Sequence, residues 1–308
     1  MRLTPLALAC VLAGCQTAPI SRNDPPSELA LIQAINESVE MPVREKAART
    51  SLEWTRYHEA SDLSVMDDSD LADALLATNI ALFYASGVGD KNIERFVRPL
   101  LEVHAALDAR GSVSEAQTAE VFDQLVALRR FDEVRRLQAD HPSLAGREIP
   151  EVRFTVGFDA SAPATMALSP DGSYEVRNEP LLGSRAVFLV GCEMSAKAVE
   201  AIIADPALVR ALEDANVLWL TGAKPGIGTA HVKAWNARFP HQPMRVAWSN
   251  AAWVGLDLTA MPTFHYLQQG RVTELHKGWD PTQTPATIRA ALARLQGETP
   301  EGGPSPSP

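Results

Sequence analysis

Among the three cysteines of this 308-residue chain, Cys192 lies where a thiol gains reactivity. Ala186 to Val190 reads as a buried strand and a helix pattern opens at Glu193, so Cys192 occupies the junction. A helix N-terminus presents unpaired N–H groups and a partial positive charge, which favour the thiolate. The spacing is Cys192-Glu193-Met194-Ser195, so Ser195 stands where dithiol chemistry would need a second sulfur. Glu193, acidic and adjacent, opposes ionisation of the thiol. Three roles are open to Cys192: trapping a partner thiol as a mixed disulfide, acting as a soft metal ligand with Met194, or persisting as a buried residue in a binding domain. Metal capture needs further ligands at suitable spacing, and the seven histidines are scattered without a paired motif, so no metal or other cofactor is expected. His265 follows Pro262 closely, but strand alternation leaves open which face it takes.

Two further patterns carry less. Gly222-Ala223-Lys224-Pro225-Gly226-Ile227-Gly228-Thr229 is glycine-rich between a strand and a helix, yet it lacks both the Gly-Lys-Ser/Thr ending of a phosphate loop and the third glycine of a dinucleotide fingerprint. It reads as a loop bordering the Cys192 site. No serine sits in a Gly-x-Ser-x-Gly elbow, which argues against a serine hydrolase. The formal charge of −10, without basic clusters, argues against nucleic acid as a partner.

The elements that must position Cys192 fall into two textures. From Ser27 to about His141 the pattern is helical, with Leu71, Leu75, Thr78 and Leu82 on one face and Ser114 with Gln117 as a capping box. Gly87 and Gly89 mark a break, and Leu128 to Val134 reads as a tight inter-helix turn. Helical hairpins without a fixed repeat period predict a bundle over 28–147, with Trp54, Tyr57 and His58 as core or groove. After Pro142 strands enter: Val152 to Val156, then Met166 to Leu168 and Tyr174 to Val176 joined by the turn residues Pro170-Asp171-Gly172. From Ser184 strands and helices alternate, ending in the hairpin Thr263–Gln268 with Arg271–His276 and a helix capped at Thr284. The expected class is therefore α/β, an α/β sandwich preceded by an all-α domain.

The N-terminus has its own logic. Met1-Arg2, the apolar run Leu3 to Leu12 and the tetrad Leu12-Ala13-Gly14-Cys15 have the shape of a secretory signal too short to span a membrane. That tetrad resembles the bacterial lipobox, which implies a signal peptide over 1–14, lipidation at Cys15 and a tether over 15–27. Gln16 after the cysteine then favours the outer membrane if the cell is Gram-negative. Acyl chains give stable anchoring, so a soluble body on the periplasmic side of the membrane is expected, with a disordered Pro/Gly/Ser tail over 297–308. Loss of Cys10 and acylation of Cys15 would leave Cys192 without an intramolecular partner.

The hairpin before the strand, the phrase Leu182-Gly183-Ser184-Arg185-Ala186-Val187-Phe188-Leu189, the Cys-x-x-Ser and Met261-Pro262-Thr263-Phe264 together resemble a thioredoxin-like domain over 151–296. More narrowly, the chain is similar to periplasmic thiol-disulfide oxidoreductases of the TlpA and ResA type. The resemblance implies a cis Pro262 beside Cys192 and a substrate peptide pairing with the backbone at Met261, with Thr263 next to it. Gly191 and Ser195 depart from that family, which carries an aromatic and a second cysteine there. Without a resolving thiol, dithiol turnover is not expected. Two readings remain: a monothiol site, with Cys192, Ser195 and Pro262 at its centre, that forms mixed disulfides with an envelope protein or small-molecule thiol, or a non-catalytic binding module.

Overall fold

The computed structural model describes residues 27–297. Six helices come first: α1 (Glu28–Glu37), α2 (Val43–Ala60), α3 (Asp68–Val88), α4 (Glu94–Ala109), α5 (Glu115–Ala127) and α6 (Phe131–Asp140). Helix α3 is apolar nearly all round and is the pillar of this half, burying Leu71, Leu75, Thr78 and Leu82 against α4 and α5 residues such as Leu100, Val103, Val121 and Leu125. Each such fully buried leucine contributes about 1.5–3 kcal/mol. Trp54 belongs to this core rather than to a groove, donating its indole N–H to Thr78 Oγ1 at 3.0 Å and stacking on His58. Ser114 forms the capping box with Gln117 that the spacing predicts. The break expected at Gly87 does not occur, because Gly87 lies within α3; Gly89, at φ +72°, ends the helix.

The second half comprises β1 (Val152–Phe154), β2 (Ala164–Leu168), β3 (Tyr174–Asn178), β4 (Ser184–Leu189), α7 (Glu193–Ile203), α8 (Pro206–Asp214), β5 (Leu218–Thr221), α9 (Thr229–Arg238), β6 (Arg245–Ala247), β7 (Thr263–Gln268), β8 (Arg271–Lys277) and α10 (Thr284–Gln296). The strands form one sheet in the order β1-β3-β2-β6-β5-β4-β7-β8. Strands β4, β5 and β6 run parallel, β7 lies antiparallel to β4, and β8 closes the hairpin. A parallel β-α-β-α-β run completed by an antiparallel hairpin and a helix is a thioredoxin-like sandwich, here extended by β2, β3 and β1. The first strand is shorter than the alternation from Val152 to Val156 predicts and pairs parallel to β3. Thr284 is the first helical residue of α10 and not its cap; its Oγ1 accepts from Asp280 N and lies 3.1 Å from His276 Nε2, so the hydroxyl is spent on the preceding loop.

Alternation along β4 divides the sandwich into two cores. Ala186, Phe188 and Val190 face a core closed by Val199, Ile202, Leu212, Val232 and Ile288, from helices α7 to α10. Val187 and Leu189 face the other side, covered by Trp253, Leu256 and Leu258 from the irregular segment after β6. The helical half meets the sheet at this segment. Arg129, at φ +63° in the α5–α6 turn, donates to Ala247 O at 2.7 Å and Trp248 O at 3.2 Å. Desolvation there pulls its guanidinium down to about 10, still ionised at neutral pH, with Tyr174 favouring the charge. Asn250 Nδ2 adds a bond to Ser86 O at 2.8 Å.

Candidate functional site

Strand β4 delivers the chain to the site. Val190 N–H still donates to Leu220 O at 2.8 Å, Gly191 turns at φ +127°, and Cys192 becomes the extended N-cap of α7. The cap is a sulfur: Cys192 Sγ accepts from Ser195 N at 3.4 Å and lies 3.1 Å from Ser195 Oγ. It also lies 3.8 Å from Met261 O, a bond the neutral thiol donates. The two protonation states therefore use different partners. A thiol gives its proton to Met261 O; a thiolate gathers the Ser195 N–H, the Ser195 hydroxyl and the positive end of α7. Cys192 is partly exposed, whereas Ser195 is fully buried, so incoming reagents meet sulfur and not the hydroxyl.

The Met261-Pro262 peptide bond is cis. Pro262 is buried and its carbonyl accepts from Gly278 N at 2.9 Å, while Met261 stays partly exposed at the surface beside Cys192. Thr263 is brought next to these residues as the first residue of β7, paired with Leu189, but its side chain is buried and its hydroxyl donates to Ala260 O at 2.8 Å. His265 lies one layer deeper, on the face of Val187, and accepts from Asp257 N at 3.3 Å through Nε2. Burial lowers its pKa to about 4, against the opposing pull of Asp257, so it is neutral at physiological pH. It is a buried residue held to the segment after β6.

The charges around Cys192 differ from what neighbouring sequence implies. Glu193 points to solvent and pairs with Arg238 at 3.7 Å, which blunts its repulsion of a thiolate. Lys224, from the glycine-rich loop, is near enough to sense this sulfur: burial lowers its pKa, and a charge on Cys192 opposes that shift. Asn250 fixes that loop by accepting from Ala223 N at 2.7 Å and donating to Ala223 O at 2.8 Å. The glycine-rich loop borders the Cys192 site as its sequence suggests, but nothing in its spacing singles out Lys224, and Asn250 reaches the loop only through tertiary contact. Gly191 has its own explanation. A Cβ there would meet Thr221 Oγ1 at 3.0 Å and Met244 Sδ at 3.4 Å, and its φ is one that side chains avoid, so an aromatic has no room before this cysteine. Met194 is exposed, and among the described residues no group of three or more His, Cys, Asp and Glu side chains could hold a metal. Cys15, the expected lipidation site, lies outside the described residues, as do the expected signal, most of the tether and nearly all of the tail.

No family model matches the chain, and no curated protein matches it. Among solved structures, a thioredoxin-like protein from Bacteroides caccae is similar at 13% identity and a TM-score of 0.29, covering 82% of this chain and 95% of its own.

Proposed function

We propose that this protein is a lipid-anchored envelope protein whose thioredoxin-like domain uses Cys192 as a monothiol, forming mixed disulfides with partner thiols. The observation that carries the reading is the partly exposed Cys192 sulfur at the N-cap of α7, facing Met261 O with the Ser195 N–H and hydroxyl beside it. The step balances simply: the Cys192 thiolate attacks a partner disulfide, one S–S bond breaks, a new one forms, and the displaced thiol leaves as thiolate. Lys224, the α7 terminus and the Ser195 donors stabilise the attacking anion. A hydroxyl at Ser195 cannot attack sulfur in return, so release requires a second, external thiol, and the adduct persists until one arrives.

The test is exposure of the full chain to oxidised glutathione, followed by peptide mass mapping. The native protein gains a glutathione adduct on the peptide bearing Cys192, and Cys192→Ser gains none; an unmodified native Cys192 after prolonged exposure sinks the reading. Anchoring is checked separately. Cys15→Ser moves the protein from the membrane pellet to the soluble fraction, and retention in the pellet refutes the lipid tether.

A further inference from the structure

At the opposite end of the sheet from Cys192 lies a cavity of about 610 Å³. Arg177 of β3, Arg185 of β4 and Arg245 of β6 converge on it, and Leu212, Val217 and Trp219 form an apolar wall. Arg185 opens β4 and Cys192 follows its end, so about 20 Å of strand separates the two places. We propose that this cavity binds a small organic anion with a carboxylate or phosphate head and an apolar body.

The argument rests on an imbalance of donors. One carboxylate, Glu179, is buried among the three guanidiniums and is already saturated. Its Oε1 takes Arg245 Nη1 at 2.6 Å, Arg177 Nε at 3.5 Å and the Thr165 hydroxyl at 2.6 Å, and its Oε2 takes Arg185 Nη2 at 2.9 Å. Each guanidinium carries five N–H donors in a fork that matches two oxygens at once. Arg185 and Arg245 each spend one of theirs on Glu179, and Arg185 Nε is buried with no partner. Glu179 balances one cation, Glu213 on the cavity wall offsets another, and Glu175 lies 3.9 Å from Arg177, so what the cavity offers is an excess of N–H donors over acceptors and not a net charge. Buried donors without acceptors are costly and uncommon, and a ligand's oxygen pair supplies what this set lacks. The apolar wall and the volume suit a ligand body of a few carbons, in the manner of small-molecule sites that combine a greasy surface with few polar anchors.

Isothermal titration of the full chain at low ionic strength with hexyl phosphate and with hexanoate tests this, with 1-hexanol as the uncharged comparison. Saturable one-to-one binding of at least one of the two anions, without binding of 1-hexanol, is expected. Arg177→Gln, the most exposed of the three arginines and the one most loosely held by Glu179, weakens binding about tenfold. Glu213→Gln, which leaves the Glu179 contacts intact, tightens it about threefold. Failure of both anions to bind at millimolar concentration, equal binding of 1-hexanol, or affinities unchanged by both substitutions overturns the proposal.

Discussion

The two ends of strand β4 carry opposite kinds of electrostatics. At its carboxyl end a single sulfur has two sets of neighbours, an acceptor at Met261 O and donors on Ser195. At its amino end three guanidiniums surround a buried Glu179, each within 3.5 Å of one of its oxygens. The first end sits at the carboxyl edge of parallel strands, where open α/β sheets place their chemistry. The second sits where strands begin, and its close-paired charges hold β3, β4 and β6 in register. Reactivity and fixed charge are thus separated along one element, and substitutions at one end should leave the other untouched.

Glu179→Gln should break this separation most visibly. It leaves three guanidiniums without their buried counter-charge, so a loss of about 3–5 kcal/mol is expected, read by chemical denaturation. Adduct formation at Cys192 in the folded fraction should not change. Midway between the ends, His265 gives the next largest effect. Its folded pKa of about 4 lies below the ordinary value near 6.5, so the unfolded chain takes up the proton first. Its contribution is complete above about pH 6.5 and is lost as pH falls towards 4, by about 3 kcal/mol, and His265→Gln should flatten that slope of stability against pH. Ser195→Cys sharpens the comparison at the reactive end. With Ser195 Oγ already 3.1 Å from Cys192 Sγ, the variant should close an intramolecular disulfide and reduce the steady glutathione adduct about tenfold, measured by intact mass. Ser195→Ala should slow alkylation of Cys192 at pH 7 severalfold, about 1 kcal/mol of lost thiolate stabilisation, with unchanged ligand behaviour at the arginine end.

Much of the fold was legible because periodicity records burial. The α3 face of Leu71, Leu75, Thr78 and Leu82, the strand leading to Cys192 and the closing hairpin all follow from it. Periodicity does not record which strands become neighbours. The joining of β2 to β6, which carries the first hairpin onto the main sheet, has no signature in either segment. The arginine cluster was hidden for the same reason: nothing in the spacing of residues 177, 185 and 245 shows that the sheet brings them together. At the reactive end the sequence placed Cys192 at a helix start and weighed Glu193 because it is adjacent. Lys224 is far along the chain, and the loop that presents it is shaped by Asn250, a contact between irregular segments that leaves no pattern.

The Arg129 fork has a practical consequence for anyone who wishes to cut this chain in two. Scissors applied between residues 147 and 151 would fall in a tempting place, after the last helix and before the first strand. The excised sandwich would then carry the carbonyls of Ala247 and Trp248 without the guanidinium that now caps them, and Asn250 would lose Ser86 while still holding the Lys224 loop. Such a fragment would report on a loosened loop beside Cys192, so thiol reactivity measured on it would describe the amputation and not the intact molecule.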